Sequence, residues 1–532
     1  MPRLRAHGAV LAILALGVFL RVAWISEYPA YHSDEGFWGS GARNFLLFGD
    51  AFLDNRLHPF LSPATFLGLC AWFGAFTPSL TTARLFSAAF GIATTVLVWD
   101  LARTLTPRRT WLPVLFCAVS GLAVLQGRVL LLEAHQTFWL VLATALLFAG
   151  GPPPGAPETP IPRRTLLFAG VAYGMALLVK TTSIYLIPAF VIATLPSVRA
   201  VLSSPSQGPL REKVRSRIDA LSPALLFFLA AFVVAAAGYG VTFARDPERF
   251  RAAFRYEMEA KHFLLYLRDP LLFHVGRFGF RPIAATLCAL TLARSDPFLC
   301  LLGVVGAYRT FRRWSQSTRA ARFFSVWAVS GFVFTVLQIN VTYRYFGTIL
   351  PALVFLAAFV AEDLFGEDGA EPARSHGNGP NSASTALLGP AFRVFAFAGV
   401  FLGFHLARLS VGHDESPNRD YARVVQLVSE KVPKDTGVLA APYIGLSLPQ
   451  KSHDFFRVLW PYGGEDHPLS IAKEIERRRI GVVIRDTEFR TFETPEMTAY
   501  LKTACTPLAH IGEYEVLVVK PDGAALVTER GK

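Results

Sequence analysis

Charged residues and cysteines are both scarce in this sequence of 532 residues. Asp, Glu, Lys and Arg together make up 17% of the chain, whereas 52% is hydrophobic and 13% is aromatic. That balance is too apolar for a soluble protein and is typical of a polytopic membrane protein. The five cysteines show neither CxxC nor CxxH spacing, so the sequence implies no disulfide framework and no zinc site.

The N-terminal segment lacks the cleavage site of a secretory signal peptide. The N-terminal segment 1–25 has a basic head like a secretory signal, but it lacks a small-x-small cleavage site and Arg21 interrupts it. We therefore interpret it as a retained first transmembrane helix.

The net charge of +13 comes from short basic clusters between apolar segments, without a basic face of interleaved aromatics. This pattern favours contact with anionic membrane lipids and argues against nucleic acid as a partner.

Twelve apolar segments are candidates for membrane crossing. They lie at about 8–25, 59–77, 82–102, 111–126, 136–150, 165–180, 183–197, 220–243, 284–308, 323–342, 345–365 and 387–409. Four loops rich in Arg or Lys separate them, at 103–109, 163–164, 199–217 and 309–322.

The positive-inside rule places these four loops and the N-terminus in the cytoplasm. The arrangement requires segment 59–77 to lie in the interface or to re-enter, while the other eleven segments cross once. If 59–77 crosses instead, the rule is broken at Arg103 and Arg109. We therefore predict a polytopic α-helical membrane protein with about 11–12 transmembrane helices, in the inner or plasma membrane.

Composition divides the chain into a membrane domain, residues 1–410, and a soluble extracytoplasmic α/β domain, residues 411–532. Segments 151–162 and 366–386 have the composition of linkers. The soluble domain has no Gly-rich phosphate loop, so no cofactor is expected. We interpret it as a stabilising lid, with substrate docking as the alternative.

Alternating patterns in the soluble domain predict its secondary structure. Helices are predicted at about 418–431, 469–479 and 495–503, strands at 436–441, 457–460 and 480–485, and a last strand pair ending near Val519.

An acidic pair, Asp34 and Glu35, follows the first apolar helix at the predicted outer boundary of the membrane. In the simplest interpretation the two acids only cap a helix, with Asp34 at the N-cap and Glu35 in the first turn. A carboxylate at this place is also suited to take the proton from an attacking hydroxyl as a general base.

Three more charged residues lie within or beside apolar segments: Glu133, Lys180 and Arg344, the last flanked by Tyr345. Each has a structural alternative, since Glu133 can pair with Arg128, Lys180 can snorkel to the interface, and Arg344 can anchor on lipid phosphate. Under the predicted topology, however, all three share the outer face with the acidic pair. Charges at membrane depth are expensive and mark functional sites. Acids near cations suit group transfer from a phosphate-bearing donor, with Lys or Arg neutralising the leaving phosphate.

Three histidines, His58, His262 and His274, fall on or near the same face. Their spacing is not that of a metal motif, so no metal ligands are assigned. The participation of a divalent metal is left open.

Four motifs in order carry a family resemblance: the Asp-Glu pair with ARLFSAAFGIATTVLVWDLAR, then GRVLLLEAHQTFW, GVAYGMALLVKTT and TYRYFGTILPAL. They resemble the membrane glycosyltransferases with the C-type fold, especially the branch of the protein O-mannosyltransferases and the lipid A aminoarabinose transferase. The resemblance covers roughly residues 8–365. Each motif is degenerate, and their order and spacing carry the specificity.

The resemblance implies an inverting transfer of a sugar from a polyprenyl-phosphate carrier to an acceptor hydroxyl or amine on the outer face. It makes Asp34 the general base or acceptor-orienting group, with Glu35 beside it. Glu133 takes the place of an Asp that is usual in the family, and Lys180 and Arg344 meet the carrier phosphate.

Two other positions belong to the implied carrier site. Tyr345 stands next to Arg344, and His58 stands where relatives often have Lys before Pro-Pro. Only one Pro follows His58 here, so the sequence departs from the family pattern at this phosphate contact.

The sequence thus predicts a membrane glycosyltransferase whose partners are a polyprenyl-phosphate-linked sugar, membrane lipids and a lipid, glycan or protein acceptor. Two alternatives stay open at this point. One is a lipid-carrier transporter or flippase, although no internal repeat is visible. The other is a catalytically silent scaffold of the same fold.

Overall fold

The computed structural model describes residues 2–29, 33–53, 57–148, 161–195, 210–261, 275–276, 279–337, 343–365, 396, 398–404, 406, 419–459 and 469–520. Nearly all of the two predicted linkers, His262 and His274, and most of segment 387–409 lie outside these ranges. They stay predictions.

The described part of the first 365 residues is almost entirely helical, as predicted. Up to residue 148 the helices are α1 (Pro2–Val22), α2 (Ser33–Phe48), α3 (His58–Leu61), α4 (Pro63–Ala75), α5 (Leu80–Leu105), α6 (Trp111–Val119), α7 (Gly121–Arg128) and α8 (Leu132–Phe148). They continue with α9 (Arg163–Val179), α10 (Ile187–Thr194), α11 (Leu210–Arg245), α12 (Pro247–Lys261), α13 (Arg281–Ser295), α14 (Pro297–Arg312), α15 (Arg319–Leu337) and α16 (Leu350–Phe365). Two 3₁₀ helices, Thr181–Leu186 and Tyr343–Ile349, precede α10 and α16, and a two-stranded ribbon pairs β1 (Val275–Gly276) with β2 (Gly279–Phe280).

Within the described ranges, three helical stretches are long and apolar enough to cross a membrane, at 80–105, 221–245 and 344–364. Two pairs of helices are long and apolar enough only when each pair is taken together, and each pair is bent at a short break. They are α6 with α7, bent by 57°, and the end of α13 with α14, bent by 113°. Shorter apolar helices include α4, which at 13 residues is about 20 Å long, less than the ~30 Å hydrocarbon core. Length does not distinguish α4 from α8 and α9, which have 17 residues each and lie in segments predicted to cross. The interfacial position of segment 59–77 therefore stays a prediction. The chain is an integral membrane protein of helical architecture.

The C-terminal unit is a small α/β domain, as predicted. Its five-stranded sheet has the order β4-β3-β5-β7-β6, parallel between β4, β3 and β5 and antiparallel between β5, β7 and β6. The strands are β3 (Gly437–Ala440), β4 (Lys451–Asp454), β5 (Ile480–Arg485), β6 (Cys505–Ile511) and β7 (Tyr514–Val519). The helices are α17 (Arg419–Lys431), α18 (Pro442–Gly445), α19 (Phe455–Leu459), α20 (Ile471–Arg478), α21 (Thr487–Phe492) and α22 (Pro495–Ala504).

One predicted strand of this domain, 457–460, is wrong. The strand beside β3 is β4, which ends with Asp454 opposite Ala440. The Asp454 carboxylate then accepts a hydrogen bond from the backbone N–H of Phe456, at 3.1 Å, and the chain turns into helix α19. Phe455, Val458 and Leu459 are buried at helical spacing, a pattern that a short apolar run does not distinguish from a buried strand.

The sheet domain and the membrane helices share one hydrophobic core. Side chains of α2, α4 and α5, among them Ala42, Leu69 and Phe86, pack in the same cluster as Val438 and Ile444 of the C-terminal domain. The domain is therefore packed directly onto the helix that carries the acidic pair.

A buried arginine and two glycines of α2 make this contact close. The Arg43 guanidinium donates to the carbonyl oxygens of Leu448 and, at 2.6 Å, of Gln450. A Cβ on Gly36 would overlap the backbone of Pro442, and one on Gly39 would lie 2.8 Å from Leu446. Because glycine has no side chain, helix α18 packs closely against α2 at Gly36, the residue that follows Glu35.

Candidate active site

Asp34 lies in the first turn of α2, and its side chain is partly exposed. Its carboxylate accepts a hydrogen bond from Nη1 of Arg344, a residue 310 positions away in the chain. The two side chains keep 17% and 18% of their surface exposed, so a ligand can reach both. The sequence-predicted base and a sequence-predicted phosphate ligand are thus direct neighbours.

Glu35 points to a different environment from its neighbour, because successive helical residues are turned by about 100°. Its carboxylate is fully buried and accepts two hydrogen bonds from Arg84, Nε to Oε1 and Nη2 to Oε2, each 2.8 Å long. Oε1 also accepts from the backbone N–H of Leu130 at 3.2 Å. Both oxygens are committed to protein donors, and the pair joins α2 to α5.

Glu133 and Lys180 form a second, buried ion pair, with Nζ 2.6 Å from Oε1. Glu133 lies in the first turn of α8, and Lys180 is the C-cap of α9, so the two charges lie at the ends of neighbouring helices. This is the position expected of charges at a membrane boundary that face a protein site and not lipid.

Tyr345 connects the two ion pairs. The Lys180 Nζ lies 4.1 Å from the centre of its ring, and the Arg344 Cζ lies 5.4 Å from the same centre. A cation within about 6 Å of an aromatic face is attracted by the ring quadrupole. The structure therefore brings Asp34, Arg344, Tyr345, Lys180 and Glu133 into one continuous row. The two cations meet at the Tyr345 ring, and each is paired with an acid at its outer end.

His58 belongs to the neighbouring aromatic contact. Its ring stacks on Phe37 with centres 5.6 Å apart and meets Trp38 edge-on at 4.6 Å. Phe37 and Trp38 follow Asp34 by three and four residues in α2, so they share its helix face. His58 is thus beside the face of α2 that carries Asp34.

Two residues that organise the site were missed by sequence reasoning. Arg84, the partner of Glu35, is a charge inside the apolar segment 82–102, and the rule used for Glu133 and Lys180 points to it equally. Gln126, which donates from Nε2 to the carbonyl of Arg344 at 2.8 Å, is uncharged and carries no such signal.

The described ranges contain no group of three or more His, Cys, Asp or Glu side chains placed to hold a metal ion. What the row offers chemically is anion binding: an arginine fork, which can bind a phosphate with two hydrogen bonds, and an ammonium group supplied by Lys180. A carboxylate, Asp34, stands against the arginine.

Part of the chain matches a known protein family. Residues 71–207 match the family described as dolichyl-phosphate-mannose-protein mannosyltransferase. No curated protein sequence matches the chain significantly.

Solved structures match over nearly the whole chain. ArnT from Cupriavidus metallidurans, in a structure bound to undecaprenyl phosphate, is similar with a TM-score of 0.58 and 16% identity over 97% of each chain. The oligosaccharyltransferase of Archaeoglobus fulgidus in its apo form is similar with a TM-score of 0.52 and 15% identity, over 91% of this chain and 70% of the other. The chain therefore has the C-type glycosyltransferase fold, which agrees with the resemblance drawn from its motifs.

Proposed function

We propose that the protein transfers a sugar from a polyprenyl-phosphate carrier to an acceptor hydroxyl or amine. The observation that carries the proposal is the row from Asp34 to Glu133. In it Arg344, paired with the partly exposed Asp34, and Lys180, paired with the buried Glu133, lie on the same Tyr345 ring, and both cations are suited to phosphate. The similar ArnT structure holds undecaprenyl phosphate, and an oligosaccharyltransferase structure from Archaeoglobus fulgidus is in complex with a dolichol-phosphate, which supports a polyprenyl phosphate as the carrier.

In the proposed reaction Asp34 accepts the proton of the attacking acceptor hydroxyl as general base. The acceptor oxygen forms the new bond to the anomeric carbon of the sugar, and the bond from that carbon to the phosphate oxygen breaks. Arg344 and Lys180 neutralise the negative charge that the leaving phosphate gains. The carrier phosphate competes with Asp34 for Arg344, so carrier binding frees the carboxylate for its role.

We assign the buried acid Glu35 a positioning role, because Arg84 and the Leu130 N–H already occupy its oxygens. Glu133 has a comparable role, holding the Lys180 ammonium beside the Tyr345 ring. His58 and the aromatic residues Phe37 and Trp38 line the approach to Asp34 along α2.

The location of the site on the extracytoplasmic face, with residues 411–532 forming an extracytoplasmic domain, is part of the proposal. It follows from the basic loops and the positive-inside rule. A cysteine introduced next to Pro107 should resist an impermeant thiol reagent added from outside. Ready labelling there would overturn the orientation.

The direct test of function is the Asp34→Asn variant in purified, membrane-reconstituted protein. Incubation with radiolabelled polyprenyl-phosphate sugars and an extract of native membranes as acceptor source should release free carrier phosphate with the wild type and the control variant, but not with Asp34→Asn. Asp100→Asn is the matched control, since Asp100 is a half-exposed acid that pairs with Arg103 on α5. Undiminished transfer by Asp34→Asn would exclude Asp34 as the base.

A further inference from the structure

The 3₁₀ helix Tyr343–Ile349 carries both Arg344 and Tyr345 and is fixed near its far end. Trp327 of α15 donates from Nε1 to the carbonyl oxygen of Thr348 at 2.9 Å. The Thr348 hydroxyl lies 2.5 Å from the hydroxyl of Tyr185, which belongs to the other 3₁₀ helix. These bonds hold the helix next to α16 but lie one turn away from Arg344.

The near end is held by Gln126 of α7. Its Nε2 donates to the backbone carbonyl of Arg344 at 2.8 Å, and the side chain is buried. A hydrogen bond to this carbonyl fixes the backbone from which the guanidinium extends. A 3₁₀ helix has poorer internal hydrogen bonds than an α-helix, so external donors contribute more to its position.

Gly347 makes room for this contact. A Cβ built on Gly347 would overlap the amide of Gln126, so any larger residue at 347 displaces the Gln126 side chain. Gln126 and Gly347 also line the same small cavity, of about 30 Å³, between α1 and the 3₁₀ helix. The amide and the glycine thus fit each other as a pair.

We infer that Gln126 is a positioning residue that sets where Arg344 and Tyr345 meet the phosphate of the carrier. The inference rests on the proposed function, because it gives Arg344 a phosphate to bind. Misplacement of a binding group by about 1 Å is enough to reduce turnover by about 100-fold. Gln126 acts through the backbone of Arg344 and needs no contact with substrate.

The first arm of the test measures carrier binding and turnover. Gln126→Leu keeps the volume and removes the donor, and it should raise both the Kd for undecaprenyl phosphate and the KM for the sugar-linked carrier about tenfold or more. Thr144→Val is the control, since it also removes a buried hydrogen bond, but one within α8, to the Leu140 carbonyl. Wild-type carrier affinity in Gln126→Leu would overturn the inference.

The second arm is a double-mutant cycle with Gly347→Ala. This single substitution should impair carrier binding by displacing Gln126, and it should add little further loss in the Gln126→Ala background. Independent, additive losses would show that the two residues do not act as a pair and would contradict the inference.

The third arm separates this inference from the proposed function. Amide hydrogen exchange of segment 343–349 should rise in Gln126→Leu and stay at the wild-type level in Thr144→Val. If wild-type protein neither binds undecaprenyl phosphate nor transfers sugar, the proposed function fails. Unchanged exchange in Gln126→Leu refutes the positioning role whatever the activity.

Discussion

Arg21 donates a hydrogen bond from Nη1 to the carbonyl oxygen of Ala118 at 2.8 Å, at the last turn of α6. A second nitrogen, Nη2, donates to the carbonyl of Cys117 at 3.0 Å. Across the break after α6, the Asp296 carboxylate accepts from the backbone N–H groups of Gly121 and Leu122, at 3.1 and 3.3 Å, where α7 begins. A cation thus caps one helix end and an anion the next helix start, each matching the helix dipole.

This arrangement predicts that both buried charges stabilise the 57° bend between α6 and α7. Arg21→Met leaves two carbonyls buried without their donors, which should lower the free energy of unfolding by about 2–3 kcal/mol. The apparent Tm of the detergent-solubilised protein measures the effect. Arg103→Met, on an exposed part of α5, is the control and should leave the Tm unchanged. An unchanged Tm in Arg21→Met would show that water replaces the guanidinium.

Substitution of Glu35 is predicted to lower stability, whereas substitution of Asp34 is predicted to lower activity. Glu35→Gln removes the charge opposite a fully buried Arg84, and loss of one partner of a buried pair costs about 3–5 kcal/mol. Asp34→Asn lies at a partly exposed position and should abolish transfer with little change in Tm. Thermal unfolding and transfer assays on both variants check the assignment. A Glu35→Gln protein with wild-type Tm and lost turnover would make Glu35 a catalytic group instead.

The contact between α2 and the C-terminal domain is predicted to be required for activity. Gly36→Ala places a methyl group into the backbone of Pro442 and should separate α18 from α2, with transfer falling by tenfold or more. Limited proteolysis within residues 411–532 should become faster in this variant. Gly74→Ala is the control, because nothing lies within 4 Å of a Cβ at that position of α4. Equal proteolysis of both variants would show that the contact is dispensable.

His453 of β4 makes the folded C-terminal domain sensitive to acid. Burial, together with the nearby Arg478 guanidinium, lowers the pKa of His453 from 6.5 to about 4. Between these pH values the unfolded chain binds a proton that the folded domain does not, so stability falls as the pH is lowered through this window. Above pH 6.5 the histidine is neutral in both states and the penalty is absent.

The measurement is the apparent Tm of the full chain between pH 4 and pH 8, compared with a His453→Gln variant. The wild type should lose more stability below pH 6.5 than the variant does. Parallel pH profiles would contradict the shifted pKa of His453.

Sequence reasoning found the charged row because a charge at membrane depth has few stable positions other than a protein site. Glu133, Lys180 and Arg344 were identified in that way, and the structure joins them. The residues alone did not decide which acid of the pair Asp34 and Glu35 faces the site, and only the family resemblance pointed to Asp34. That choice depends on the rotation of α2 about its axis, which packing against Arg84 sets.

Neutral residues that act through the backbone leave no comparable signal in a single sequence. Gln126 is one amide in an apolar stretch, and its role depends on a carbonyl 218 residues away. The strand misplaced at 457–460 has a related cause. The secondary structure of a short apolar run depends on which segments pair in the folded protein. Here β3 pairs with Lys451–Asp454, so the apolar run that follows is not part of the sheet.

The long chain separation of the paired residues affects how the protein is made. Asp34 is synthesised early, yet its partner Arg344 follows 310 residues later, and Arg43 meets Leu448 only after 405 residues. Domains form during synthesis from the N-terminus onward, so the charged row stays incomplete until most of the chain has been inserted. A ribosome that stops before the C-terminal domain therefore leaves a membrane-bound fragment with its acids in place and its α2 surface uncovered. We expect cellular quality control to recognise such fragments by this apolar surface.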